Sequence, residues 1–149
     1  MFSWKGHYQS GLVSDALVEL VDIAPTLLEA AGVDSPYYMQ GKSLHKLLVG
    51  EADPGHHKDS VVCEFNDALG SAEESVPTHA TMNFDGRYKS IVYHGHELGE
   101  IFDLQEDPGE FHNLWHEPDS QQLKLQLLHK HLDAVMATSS AGIERVGRF

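Results

Sequence analysis

The chain has 149 residues, 23 acidic and 10 basic, for a formal charge of -13. This balance argues against binding to nucleic acid or an anionic membrane surface. Its single cysteine excludes an intrachain disulfide framework and a cysteine-built zinc site. No apolar run approaches the roughly 20 residues of a membrane-spanning helix, and nothing at the start reads as a signal peptide. With 41% hydrophobic residues spread along the chain, a folded core is expected rather than disorder.

Residues 1–15 carry no sustained period. Ala16 to Leu20 is mostly apolar and reads as a short strand or the lead-in to a helix. Asp22 is a good N-cap for a helix over Ile23 to Ala31, with Pro25 tolerated in its first turn. Ile23, Leu27 and Ala31 share one face, widened by Leu28, and Gly32 is a natural stop. Ser43 can cap a second short helix through Leu48, ended by Gly50. The stretch 51–59 is rich in Pro, Gly and charge and reads as a linker, so the domains are set at 1–57 and 58–149.

After the linker the pattern turns to β. Ser60 to Phe65 is a strand candidate, followed by a polar loop over 66–77. Thr78 to Phe84 and Tyr88 to Tyr93 flank Asp85-Gly86, a strong hairpin signal. Gly95 and Gly99 frame another turn, and Glu100 to Leu104 makes a fourth strand. Glu106 to Gly109 is a turn. Pro118 and Asp119 open a helix to about Met136, with a stripe of Leu123, Leu127, Leu128, Leu132 and Val135. The expected fold is α+β: a four-stranded antiparallel sheet covered by a C-terminal helix. The first part has too little apolar surface to stand alone. It should pack on the second part or belong to something larger.

Eleven histidines raise the question of a metal. His94 and His96 would share a face if both lay on a strand, whereas His129 and His131 diverge on a helix. No HExxH or zinc-type spacing is present, so solvated or hydrogen-bonded histidines are expected. The acidic pairs Glu73-Glu74 and Glu106-Asp107 read as solvated surface, and Cys63 as a buried structural thiol. The polar set Thr78, His79, Arg87, Lys89 and His94 lies around the hairpin. Arg87 and Lys89 are expected on one face with His79 across the turn, a face able to receive a sulfate or carboxylate. The favoured alternative is an ordinary sheet face with cross-strand pairs to Asp or Glu. These residues form no complete catalytic constellation.

Three stretches resemble the C-terminal part of the sulfatases. Leu17 to Gly32, LVELVDIAPTLLEAAG, looks like V-x-x-x-D-x-x-P-T-L-L-x-x-A-G, and Met39 to Leu44 with Leu47 and Leu48 follow it. Asp85 to Lys89, DGRYK, is similar to a G-R-Y-K strand start. Gly99 to Leu114, GEIFDLQEDPGEFHNL, resembles G-E-L-Y-D-L-x-x-D-P-x-E-x-x-N-L. Together they run from about residue 10 to 136, and their physics reads as scaffolding.

The resemblance implies a large α/β domain of the alkaline phosphatase superfamily, whose last helix segment is residues 1–57 here, and a smaller sheet-and-helix domain over 58–149. It implies hydrolysis of sulfate esters by a formylglycine, made from C/S-x-P-x-R, with a bound calcium ion. This sequence has no C/S-x-P-x-R, and Cys63 precedes Glu64-Phe65-Asn66. The metal-binding Asp-Asp and Asp-Asn motifs are absent too, so no catalytic or metal residue is carried over and no cofactor is expected in this chain. His79, Arg87 and Lys89 stand as substrate-binding candidates, His79 beside the 66–78 loop. The expectation is a chain inactive alone. Two other readings are kept. One is a noncatalytic interaction module or remnant that associates with itself or a partner through Ile23, Leu27 and Leu28. The other is a related phosphodiesterase or phosphonate hydrolase.

Overall fold

A computed structural model describes residues 1–66 and 78–139. They form two compact units, Met1–Asp59 and Ser60–Ala137. Most of the polar loop at 66–77, including Glu73 and Glu74, and the tail beyond 139 lie outside the described residues.

In the first unit, residues 16–19 form no strand and lead into a single tight turn, Leu20–Asp22. Helix α1, Ile23–Ala30, continues from it. Gly32 closes α1 in the left-handed region at φ 71, a conformation that favours glycine. Its N–H reaches the Glu29 carbonyl at 3.0 Å, and the Val33 N–H reaches Leu28 at 2.9 Å, so two terminal carbonyls are satisfied. Helix α2, His45–Val49, is the predicted second helix, shortened at its start. Ser43 Oγ accepts from the His45 N–H at 3.1 Å.

The face that α1 buries is a correction. The Ile23, Leu27 and Ala31 stripe is not the buried side: Leu27 is 57% exposed and Ile23 39%. Pro25 and Thr26 are buried instead, with Leu44 and Leu47 also buried in this unit. Polar bonding from Asp22 and Thr26, described below, decides which side turns inward.

The second unit is an antiparallel meander in the order β1-β2-β3-β4. Its strands are β1 Val61–Asn66, β2 His79–Phe84, β3 Tyr88–His94 and β4 Gly99–Asp103. Helix α3, Gln121–Thr138, covers one face after two short turns at Leu114–His116 and Pro118–Ser120. The α+β architecture read from the sequence is therefore present.

Register explains the core. Thr81 pairs with Val92, Asn83 with Ser90, and Ser90 with Ile101, so these residues share one face. Ile101, Trp115 and Leu127 form the buried cluster there, with Tyr88, Val92, Leu114, Leu123 and Leu128 packed around it. Gly99 is required at its position: a Cβ would lie 2.3 Å from the Trp115 ring.

Asn113 seals the β4 edge. Its Oδ1 accepts from the N–H groups of Ile101 at 3.1 Å and Trp115 at 2.9 Å, and its Nδ2 donates to the Gly99 carbonyl at 3.2 Å. An edge strand with paired groups is no template for further strands. The preceding turn is held by Asp107, whose Oδ2 accepts from the His112 N–H at 2.8 Å. Glu110 adopts the left-handed backbone at φ 57 within it. The Gly99 to Leu114 stretch thus closes the sheet and seats Trp115.

Candidate functional site

Two buried polar centres dominate the described residues, one in each unit. In the first unit the centre is Asp22, fully buried. Its side chain makes no cap bond to α1, which corrects the expected capping role. Oδ2 accepts from the Glu19 N–H at 2.9 Å, and Oδ1 accepts from the Lys42 N–H at 2.8 Å and from Lys58 Nζ at 2.6 Å. Lys58 also pairs with Glu19. Burial alone would raise the Asp22 carboxyl, but the Lys58 bond and the Lys42 and Glu19 N–H groups outweigh it and hold it below the usual range.

Gly41 makes this possible: a Cβ there would lie 1.9 Å from the Val21 carbonyl oxygen, so only glycine lets the strand of chain at 41–42 come so close. Thr26 completes the joint, donating to the Asp22 carbonyl at 2.6 Å and accepting from the Leu44 N–H at 2.9 Å. His57 is buried beside it, with Nε2 3.2 Å from the Lys42 carbonyl and 3.6 Å from Asp22 Oδ2. Lys42 Nζ donates to the His57 carbonyl at 2.8 Å.

In the second unit the centre is His131, buried under α3. Its Nε2 lies 2.8 Å from Thr81 Oγ1 and its Nδ1 2.9 Å from Ser90 Oγ. Thr81 Oγ1 also lies 2.9 Å from Nε2 of His94. Burial, and then the neighbouring His94, lowers the His131 imidazole from its ordinary value. Beside it, Asn83 Oδ1 is buried with no hydrogen-bond partner among the described residues.

His131 corrects the expected helix stripe, in which Leu132 stood and His131 did not. Leu132 is 60% exposed. The spacing contained the signal: Leu123, Leu127 and His131 run at i, i+4, i+8, the better-aligned row. The Asp22 partners Lys42 and Lys58 gave no local signal, because they lie 20 and 36 residues away.

The three candidate substrate residues are not brought together. His79 and Lys89 lie at opposite ends of the β2–β3 pair and on opposite faces, because His79 pairs with His94 and Lys89 with Phe84. Arg87 Nε bonds both Asp103 oxygens, at 3.0 and 3.1 Å, and its Nη2 lies 2.6 Å from Oδ2. That pairing holds the Asp103 carboxyl below its usual range. Lys89 Nζ donates to Glu110 at 2.5 Å. His79 is exposed, its ring 5.1 Å from that of His94. His94 ends β3 and Gly95 turns the chain, so His96 does not share its strand. Asp85 holds the hairpin, accepting from the Tyr88 N–H at 2.8 Å, and pairs with Lys130 of α3 at 3.1 Å.

Cys63 is exposed, correcting its expected burial. It pairs with Met82 in register and so lies on the sheet face away from α3. A hollow of about 330 Å³ lies there, lined by Cys63, Phe65, Ala80, Met82, Ile91 and Tyr93 among others. A second of about 330 Å³ in the first unit is lined by Phe2, Trp4, Tyr8, Leu27 and Ala30 among others.

The described residues do not fit the calcium of a complete family member. No group of three or more His, Cys, Asp or Glu among them is placed to hold a metal. Asp22 and Glu19 come together, but Lys58 already supplies the positive charge between them. The described residues contain no cysteine or serine in a C/S-x-P-x-R setting for a formylglycine.

The family model for the C-terminal region of N-sulphoglucosamine sulphohydrolase matches residues 1–138. Arylsulfatase A of Bos taurus is 30% identical over 89% of this chain and 30% of its own length. A 2-O GAG sulfatase, BT1596, is similar in structure, with TM-score 0.64 and 31% identity over 78% of this chain and 24% of that one. The phosphonate monoester hydrolase of Silicibacter pomeroyi has TM-score 0.75 at 22% identity, covering 90% of this chain and 28% of that one, a likeness of fold alone. The chain spans about a fifth to three tenths of the curated relatives it matches. With a family match along nearly its whole length and the sheet, helix and motifs in place, this chain belongs to the sulfatase family, in the region of its C-terminal domain.

Proposed function

We propose that this chain serves as the C-terminal portion of a sulfate-ester hydrolase and contributes structure rather than reacting groups. One observation carries the reading: the family-like residues are spent on scaffolding. Asp22 and Thr26 tie loop 41–44 to α1, and Asn113 ties the last turn to β4. The formylglycine and calcium would belong to other parts of a complete enzyme. The test is an aryl sulfate assay of the pure 149-residue chain with and without calcium. No turnover is expected in either case. Hydrolysis that disappears when calcium is removed would overturn the reading.

Within that reading His79 is the substrate-facing candidate. Arg87 and Lys89 would have to give up Asp103 and Glu110 to meet a sulfate, whereas the exposed His79 would not. In a sulfatase carrying this chain, His79→Ala should raise KM with little change in kcat. An unchanged KM would remove His79 from the substrate site. The exposure of Ile23 and Leu27 favours a second reading, an apolar face that meets another protein surface. Light scattering that finds a monomer across a wide concentration range would count against self-association through it.

A further inference from the structure

Beneath α3 the buried Thr81, Ser90 and His131 and the exposed His94 form a chain of hydroxyls and imidazoles, and one arrangement of its protons uses every bond in it. In that arrangement the Ser90 hydroxyl donates to the backbone carbonyl of Asn83 at 3.4 Å. Ser90 Oγ then accepts from Nδ1–H of His131 at 2.9 Å. This leaves Nε2 of neutral His131 as an acceptor, filled by the Thr81 hydroxyl at 2.8 Å. Thr81 Oγ1 accepts in turn from Nε2–H of His94 at 2.9 Å. With His131 neutral, every proton has a partner.

A second proton on His131 forces this order to rearrange. It must sit on Nε2, which then donates to Thr81 Oγ1. The Thr81 hydroxyl has to turn toward His94, and His94 must surrender its Nε2 proton. His131 then carries a buried positive charge that faces two hydroxyls rather than a carboxylate. The groups facing His131 are Thr81 and Asn83 from β2 and Ser90 and His94 from β3. From β1 the acid on this face, Glu64, lies opposite Thr81 and is exposed. On α3 itself Lys130 pairs with Asp85, and His129 lies 3.3 Å from Asp133 on the exposed side.

We propose that His131, with His94 across Thr81, is a pH-sensitive latch that holds α3 on the sheet at neutral pH and loosens it on acidification. Burial keeps the folded His131 imidazole below its ordinary value of 6.5. The stabilisation is therefore complete above that value and is lost as pH falls from 6.5 toward the lowered folded value. Over that window the ratio of closed to open state falls by up to about a factor of ten for each pH unit.

The test is amide hydrogen exchange of the full chain, read as protection factors for α3 at about pH 7.5 and about pH 5. Protection should fall on acidification. His131→Gln, whose amide can still bond both hydroxyls without titrating, should hold protection nearly constant. His129→Gln, an exposed position on the same helix, should behave like the unmodified chain. An unchanged pH dependence in His131→Gln would overturn the latch. If that variant fails to fold, the imidazole titration of His131 in the unmodified chain decides by magnetic resonance. Titration below that of His129 supports the latch, and titration at or above it overturns the proposal.

Discussion

The first unit holds a full negative charge at its centre, and the second holds none. Asp22 is fully buried, yet it stays ionised because Lys58 and two backbone N–H groups face it. His131 is buried beside two hydroxyls and a second imidazole, and it is stable as a neutral group. The difference follows from what each unit has to bury. The first has few buried apolar side chains, Leu44 and Leu47 among them, and short helices. Charge-assisted bonds across 20 and 36 residues of sequence fix its loops where apolar packing is scarce. The second has the Ile101, Trp115 and Leu127 cluster beneath an 18-residue helix, so its polar chain adds specificity to an existing core.

Substitutions can break this contrast. The largest loss is expected for Asp22→Ala, which strands the Lys58 ammonium and the Lys42 and Glu19 N–H groups. Removing one partner of a buried pair costs about 3–5 kcal/mol. Urea unfolding should show that loss at neutral pH, and near equality with the unmodified chain in strong acid. The sign follows from the lowered carboxyl: its contribution is complete above the ordinary 3.8 and is lost as pH falls below that through the folded value. Leu127→Ala should cost about 2–5 kcal/mol through the cavity it leaves, with no such pH dependence. Trp115 fluorescence in a Trp4→Phe background would report this unit alone. Gly99→Ala is expected to cost less, about 1–3 kcal/mol, as the Trp115 ring shifts away from the new methyl group. A Gly99→Ala chain as stable as its parent would mean that Trp115 does not set that contact.

Element order was legible where local chemistry decides it. Gly32 stops α1, Asp85 and Gly86 turn β2 into β3, and alternation marks the strands. Orientation was less legible. The Ile23 and Leu27 stripe predicts a buried face, but the bonds of Asp22 and Thr26 to residues 42 and 44 turn the other side inward. Periodicity counts apolar residues only, so it passed over His131, a polar residue on the apolar row. The charges of Arg87 and Lys89 were visible in the sequence, but their acidic partners were not. Asp103 comes from the next strand and Glu110 from a turn beyond it.

The smallest expected effect separates the two buried histidines. Burial lowers both imidazoles from 6.5. At His57 the Asp22 carboxylate, 3.6 Å away, pulls against burial. At His131 the neighbouring His94 pushes the same way as burial. Both groups therefore lose stabilisation as pH falls below 6.5, but the loss should be shallower at His57. Comparing His57→Gln and His131→Gln across that window tests this. His131→Gln should flatten the pH dependence of the Trp115 signal more than His57→Gln flattens that of Trp4. Equal flattening would mean that the Asp22 charge is too well satisfied by Lys58 to reach His57, and the contrast between the two centres would then rest on geometry alone.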